Sequence, residues 1–225
     1  MKQKLVFITG VSRGIGKSLA EKFLKEGYFI IGTSTSGKAN LKDKNLIILQ
    51  LDLHYKESID GCLNNFKKLN KNIDVLINNS GIVPDKFETS IKIDKLRDTL
   101  EVNLIGTMDL TEKLIDFINE NGKIINISSS AGSLNNTNLK DTNEIGYPSY
   151  KISKAAINMY TRTLAIRLKE KKILVASVHP GWVKTDMGGK EADLEPEEAA
   201  KNIYERIISL KETGQFWFKQ EKFPW

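Results

Sequence analysis

A single cysteine, Cys62, rules out an internal disulfide, so a reducing cytoplasm is the expected setting. Only two histidines occur, His54 and His179, and they share no ligand spacing, so no metal site is expected. Long hydrophobic runs are missing as well. The apolar stretch Leu5-Val6-Phe7-Ile8 is cut off by Gly10, too soon for a secretory signal. No stretch approaches the ~20 apolar residues of a membrane span, so no membrane partner is expected. Repeats, low-complexity tracts and linker-like segments are absent over the 225 residues, which suits one domain over 1–225 with a substantial core.

What is there begins with charge. The chain carries +6 at pH 7 and has a pI of about 9.2. Its lysines are spread through nearly every segment, and no nucleic-acid recognition motif accompanies them. A solvated basic surface, helped by an anionic cofactor, accounts for them; nucleic acid is not an expected partner. Trp182, Trp217 and Trp225 read as core or interface packing, and Cys62 sits in a helical pattern as a buried residue.

The run from Lys4 to Thr9 reads as a fully buried strand. Gly10-Val11-Ser12-Arg13-Gly14-Ile15-Gly16 follows, then a helix with Ile15, Leu19, Ala20, Phe23 and Leu24 on one face and Gly27 as its stop. Strand, glycine-rich turn and helix in that order open a dinucleotide-binding unit. The glycines let the backbone approach a pyrophosphate, and the helix N-terminus favours its charge. A second strand over Tyr28 to Thr33 ends in Ser34-Thr35-Ser36, and no acid occurs between Glu26 and Asp43. A carboxylate there would accept from a ribose 2′-hydroxyl and repel a 2′-phosphate, whereas hydroxyls and the Arg13 guanidinium would bind one. NADP(H) is therefore expected over NAD(H).

Strands at Leu46 to Leu51 and Ile73 to Ile77 end at Asp52-Leu53 and Asn78-Asn79-Ser80-Gly81, with a helix over about Lys56 to Leu69 between them. One long helical pattern covers Ile93 to Asn119. Within it Asn103 stands among Leu100, Val102 and Leu104, which is unfavourable unless its amide is paired or lies at the surface. A strand over Lys123 to Ile127 ends in Ser128-Ser129-Ser130, and Ser133 to Gly146 reads as a polar loop. The strand from Ile173 to Val178 leads into His179-Pro180-Gly181-Trp182-Val183-Lys184-Thr185. A last helix starts near Pro196, and a short strand spans Gly214 to Phe218. Such alternation predicts a single-domain α/β Rossmann fold, a doubly wound and mainly parallel sheet with helices on both faces. Right-handed crossovers bring the strand ends bearing Gly10, Asp52, Asn78, Ser129 and Pro180 to one edge.

The helix that follows the polar loop carries a tyrosine four residues before a lysine twice, as Tyr147 with Lys151 and as Tyr150 with Lys154. Helical spacing puts each pair on one face, where an ammonium lowers the phenol pKa. Either pair alone describes many solvated helix faces.

Together and in order, these motifs resemble the short-chain dehydrogenase/reductase family across essentially the whole chain. Thr9-Gly10-x-x-x-Gly14-x-Gly16 resembles its cofactor loop, and Asn78-Asn79-Ser80-Gly81 its Asn-Asn-Ala-Gly element, with Ser80 in place of alanine. Residues 179–189 and the final Pro224-Trp225 are most similar to sniffer-type carbonyl reductases and C-factor-like signalling proteins. The resemblance implies a catalytic set of Asn103, Ser129, Tyr150 and Lys154, with Ser128 the alternative serine and Tyr147 and Lys151 as neighbours. Tyr150 would exchange the proton with the substrate oxygen, Ser129 would orient that oxygen, and Lys154 would hold the nicotinamide ribose and acidify the phenol. Asn103 would position a water linking Lys154 to solvent. Thr9, Gly10, Ser12, Arg13, Gly14, Ile15 and Gly16 would line the cofactor on one side. Thr35, Asp52, Leu53, Asn79, Ser80, Gly81, Pro180, Gly181, Val183 and Thr185 would complete the cofactor site, Asp52 at the adenine. A small carbonyl or alcohol is the implied substrate, and a homo-oligomer, dimer or tetramer, the implied assembly. Little or no turnover, in an NADP(H)-binding signalling protein of C-factor type, is the alternative. The step from Ser129 to Tyr150 is 21 residues, several more than the family's habit. The short, small-residue-rich stretch from Met187 to Leu194 suggests an open pocket.

Overall fold

The computed structural model describes residues 3–135 and 146–225, so most of the polar loop expected over 133–146 lies outside the described residues. The first strand, β1 (Leu5–Ile8), shows how the sheet is buried. Leu5 and Phe7 pack into one core cluster while Val6 and Ile8 pack into another across the sheet. A strand buried on both faces belongs inside a parallel sheet covered by helices on either side.

The remaining strands are β2 (Phe29–Ser34), β3 (Leu46–Gln50), β4 (Ile73–Asn78), β5 (Ile118–Ile127), β6 (Leu174–His179), β7 (Gln215–Phe218) and β8 (Glu221–Lys222). They form one sheet in the order β3-β2-β1-β4-β5-β6-β7-β8, parallel throughout except for the antiparallel β7–β8 edge pair. Helices α1 (Gly14–Lys25) and α6 (Pro196–Ser209) cover one face through Leu19, Phe23, Ile203 and Ile207. On the other face lie α2 (Lys56–Lys67), α4 (Thr107–Leu114) and α5 (Pro148–Arg167), packing through Phe66, Leu110 and Leu164. The doubly wound expectation therefore holds. Cys62 is buried on α2, and burial pushes its thiol up to about 12.

Two boundaries differ from the sequence reading. The expected helix over Ile93 to Asn119 is divided into α3 (Ile93–Leu100), a π-helical turn at Glu101–Gly106, α4, and a 3-10 turn ending at Phe117. Hydrophobic periodicity does not register one extra residue in a turn, and π-turns concentrate at functional sites. Asn103 sits in this turn. β5 then begins at Ile118 rather than Lys123, with the register against β4 shifted between Ile73 and Val75 and Asn121 at φ 62. Polar Asn119-Glu120-Asn121 hid that early start.

Beneath the site runs a buried polar rung. Asn78, Asn126 and Ser177 lie in register across β4, β5 and β6. Asn78 Nδ2 donates to Thr111 Oγ1 at 2.9 Å and to Asn126 Oδ1 at 2.8 Å, while Asn126 Nδ2 donates to Thr161 Oγ1 at 2.8 Å. Asn78, at the end of β4, is spent on this rung, which ties α4 and α5 to the sheet. Among the described residues, no helix is long and apolar enough to cross a membrane.

Candidate active site

From β1 the chain winds outward to β2 and β3, then returns to β4 on the other side of β1. Ligands of open α/β sheets bind at such a switch point, beyond the carboxyl ends of the strands. Here a cleft of about 1080 Å³ opens at that position.

Its floor is backbone. Gly10 turns at φ 73, and a Cβ added there would lie 2.6 Å from Ser80 Oγ. A Cβ at Gly16 would lie 2.0 Å from the Gly10 carbonyl oxygen, so α1 packs against the loop only without a side chain. The N-cap of α1 is Arg13, which makes no side-chain cap, and the first turn holds no acid. Its amides are thus left to an external anion, which fits a dinucleotide pyrophosphate. Ser12, Arg13, Gly14 and Ile15 line this end, and Thr35, Asp52 and Leu53 line the far end. Asn79, Ser80, Gly81, Pro180 and Thr185 complete the wall.

Three expected contacts stand elsewhere. Thr9 is buried beneath the cleft, its Oγ1 accepting from the amides of Asn79 at 2.9 Å and Ser80 at 3.0 Å. It holds the wall instead of lining it. Gly181 and Val183 face an adjoining pocket of about 490 Å³, which Ser129 also lines. Asn79 lines the cleft, yet its Nδ2 donates to the carbonyls of Thr9 at 2.9 Å and Gly10 at 3.1 Å. It braces the glycine turn.

Tyr150 borders both the cleft and the adjoining pocket. Ser129 borders the phenol closely enough to lower its pKa, and its Oγ accepts from the Ala131 amide at 3.1 Å, whereas Ser128 is buried and its hydroxyl has no partner among the described residues. The second tyrosine, Tyr147, lies edge-on to Tyr150 with ring centroids 6.1 Å apart, and Lys151 lies over the Tyr147 ring. Lys154 is buried, donates from Nζ to the Ile127 carbonyl at 2.8 Å, and holds Nζ 5.4 Å from the Tyr150 ring centroid.

The electrostatics differ from the sequence expectation of a phenol acidified by its lysine. Burial is the largest influence and pushes the Tyr150 phenol up to about 12; the Ser129 hydroxyl opposes it and nearby Tyr147 adds to it. Burial also brings the Lys154 ammonium down to about 8. At pH 7 the phenol is therefore protonated, the form a proton donor requires.

Asn103 is 3% exposed and fully engaged. Its Oδ1 accepts from the Ile82 amide at 2.8 Å, and its Nδ2 donates to the Ile82 carbonyl at 2.9 Å and to Ser153 Oγ at 3.1 Å. It clamps the segment after β4 to α5, so the paired-amide alternative describes it and the surface alternative does not.

Sequence reasoning missed several residues at the rim. Arg13 Nη1 meets Asp186 Oδ2 at 2.6 Å across the cleft mouth, with both side chains largely exposed. Lys184 and Met187 line the cleft, and Lys86 and Trp182 line the pocket. Trp182 is 51% exposed, unlike the packed Trp217, and its Nε1 donates to the Gly188 carbonyl at 2.9 Å. The Met187–Leu194 stretch is pinned at its base, where Lys184 N–H donates to the Leu194 carbonyl at 2.8 Å and Leu194 N–H to the Trp182 carbonyl at 3.0 Å. His179 is half-buried and lines the pocket, where Nδ1 accepts from the Ser130 amide at 3.3 Å and desolvation lowers its pKa to about 4.

Residues 4–196 match the family model described as short chain dehydrogenase. The chain belongs to this family. The short-chain dehydrogenase is 33% identical over 198 residues to the 3-oxoacyl-[acyl-carrier-protein] reductase FabG of Aquifex aeolicus, covering 83% of this chain and 77% of that one. In fold it is similar to the NADPH-bound carbonyl reductase from chicken fatty liver, with a TM-score of 0.90 and 26% identity over 100% of this chain and 95% of that one. It is also similar to the carbonyl reductase Sniffer of D. melanogaster, with a TM-score of 0.87 and 26% identity over 100% of both chains. As a short-chain dehydrogenase it is an oxidoreductase.

Proposed function

We propose that this short-chain dehydrogenase interconverts a small carbonyl and its alcohol with NADP(H), Tyr150 exchanging the proton. The observation that carries the proposal is the position of Tyr150 at the junction of the cleft and the smaller pocket, beside Ser129 and backed by a buried Lys154. When bound in the cleft, NADP(H) supplies or accepts the hydride. Ser129 accepts or donates a hydrogen bond at the substrate oxygen and orients it beside the phenol. Lys154, held by the Ile127 carbonyl, offers its ammonium to ribose hydroxyls. The neutral phenol gives its proton to the oxygen as negative charge develops there. Val83, Tyr147, Trp182 and Met187 wall the pocket in which that oxygen would lie.

Sequence likeness to acyl-carrier-protein reductases favours a second substrate reading, a 3-oxoacyl thioester. Consumption of NADPH against aldehydes, ketones, quinones, keto-esters and 3-oxoacyl thioesters separates the two. NADPH that binds but is oxidised with none of them contradicts both and supports the signalling alternative.

The 2′-phosphate is assigned to Arg13 and Thr35, with no carboxylate at the end of β2 to repel it. Replacing Thr35 by Asp is expected to lower the NADPH-to-NADH ratio of kcat/KM by at least about tenfold, ~1.4 kcal/mol, because the new carboxylate repels the 2′-phosphate and accepts from a 2′-hydroxyl. An unchanged ratio would contradict the assignment.

We further assign a homo-oligomer. Ile152, Met159 and Ile166 recur every seven residues along α5 and are 40%, 65% and 77% exposed, with Ile105 half-exposed nearby in sequence to α4. An apolar stripe of this kind is covered in an interface. Sedimentation should give a mass of at least two chains, reduced to one by Met159→Glu; a monomeric wild-type chain would refute it.

A further inference from the structure

Helix α5, which carries Tyr150 and Lys154, lacks an N-cap of its own. The residue at that position is Tyr147, whose side chain makes no capping hydrogen bond and whose backbone sits in the left-handed region at φ 48. Ser, Thr, Asp or Asn ordinarily accepts there from the second or third amide of the helix. In this chain the acceptor comes from the loop after β4. The Ser149 amide, second in the helix, donates to Asp85 Oδ2 at 2.5 Å. Asp85 is 1% exposed, and among the described residues its Oδ1 has no hydrogen-bond partner and it forms no salt bridge. A buried carboxylate without a cation is costly. It is tolerable where a helix N-terminus presents its positive end.

A second tie joins the same segment to the same helix turn. Asn103 grips both backbone groups of Ile82 and donates to Ser153. Residues 82–85 are thus fastened to α5 at Ser149 directly and at Ser153 through Asn103. Ser149 and Ser153 are both fully buried and stand one turn apart. Tyr150 and Lys154 are the residues that follow each of them. Two parallel stripes of one helix turn together, so fixing the serine stripe fixes the rotational setting of the tyrosine and lysine.

We propose that Asp85 is a positioning residue, a cap supplied from 64 positions away that sets the first turn of α5 and so aims the Tyr150 phenol. The proposal rests on the reading of Tyr150 as proton donor, but its first test does not require turnover. The opening amides of a helix have no partner within it and exchange with solvent freely. In the wild-type protein the Ser149 amide is expected to exchange at least about 100-fold more slowly than an unpaired amide, by NMR or by mass spectrometry with residue resolution. Asp85→Ala should abolish that protection and lower kcat by about 10- to 100-fold, as small misplacements of reacting groups do, with NADPH affinity within about twofold of wild type. Asp85→Asn keeps an acceptor oxygen and should restore both protection and kcat to within about threefold.

A freely exchanging Ser149 amide in the wild type overturns the proposal, and that measurement decides even where Asp85→Ala fails to fold. So does an Asp85→Ala variant that turns over normally, or one that loses NADPH affinity in step with kcat, since a general loss of structure would do the latter. A wild-type chain that reduces no carbonyl would strike the proposed reaction, while amide exchange would still judge the cap.

Discussion

Replacing Tyr150 by phenylalanine is expected to lower kcat for carbonyl reduction by about 10²- to 10⁴-fold, the contribution of a positioned proton donor. The substitution removes one oxygen and little volume, and the ring keeps its edge contact with Tyr147. Folding and NADPH affinity should therefore change little. The loss should appear in kcat and kcat/KM together, because a proton that moves only in the transition state contributes nothing to ground-state binding. Turnover within about threefold of wild type would remove Tyr150 from the chemistry.

Substitution of Lys154 by methionine is expected to have two effects of opposite sign. Turnover should drop by about 10²-fold or more, with weakened NADPH binding, because no other ammonium stands 5.4 Å from the Tyr150 ring among the described residues. Stability at pH 7 should rise. Burial brings the Lys154 pKa from 10.5 down to about 8, so the folded state disfavours the cation. A lysine depressed in this way destabilises fully below the folded value, and the cost disappears as pH climbs towards the unfolded value. Wild-type stability should thus gain between about pH 8 and 10.5 relative to the methionine variant, by up to ~3 kcal/mol. Urea titrations of both proteins at pH 7 and pH 10 measure it. A difference that does not narrow over that interval would show that Lys154 is not buried as described. NADPH affinity offers a companion readout: it should weaken above about pH 8 in the wild type as the ammonium is lost, and stay flat in the variant.

Much of this was legible in the residues because the physics was local. Burial of β1 on both faces was written in an uninterrupted apolar run, and the glycine turn required small residues at fixed places. The strand ends gathered because parallel strands joined by right-handed crossovers put all their carboxyl ends on one edge. What escaped depended on side chains distant in sequence. Asn103 was visible as an oddity among apolar neighbours, but its partners, the Ile82 backbone and Ser153, are set by a π-turn that no periodicity reports. Thr9 and Asn79 stood among the cofactor residues through the resemblance alone; the fold shows them bracing the glycine turn.

Electrostatic sign was the hardest to read. Spacing alone placed an ammonium one turn from a phenol and implied an acidified tyrosine. Packing decides otherwise, since both groups are desolvated and burial opposes charge on each. Asp85 had a faint signature in retrospect. The stretch Gly146-Tyr147-Pro148 offers no capping side chain to a 20-residue helix, so some acceptor had to arrive from elsewhere.

The most direct test of the central claim is a single-turnover reaction with NADPH deuterated on the transferable face of its nicotinamide, run on wild type and Tyr150→Phe. The wild type should yield an alcohol with one deuterium on the former carbonyl carbon, and the variant should bind NADPH equally well while forming that alcohol at least about 100-fold more slowly. Tight NADPH binding with no labelled alcohol from any carbonyl offered, or a labelled alcohol formed equally fast by both proteins, would contradict it.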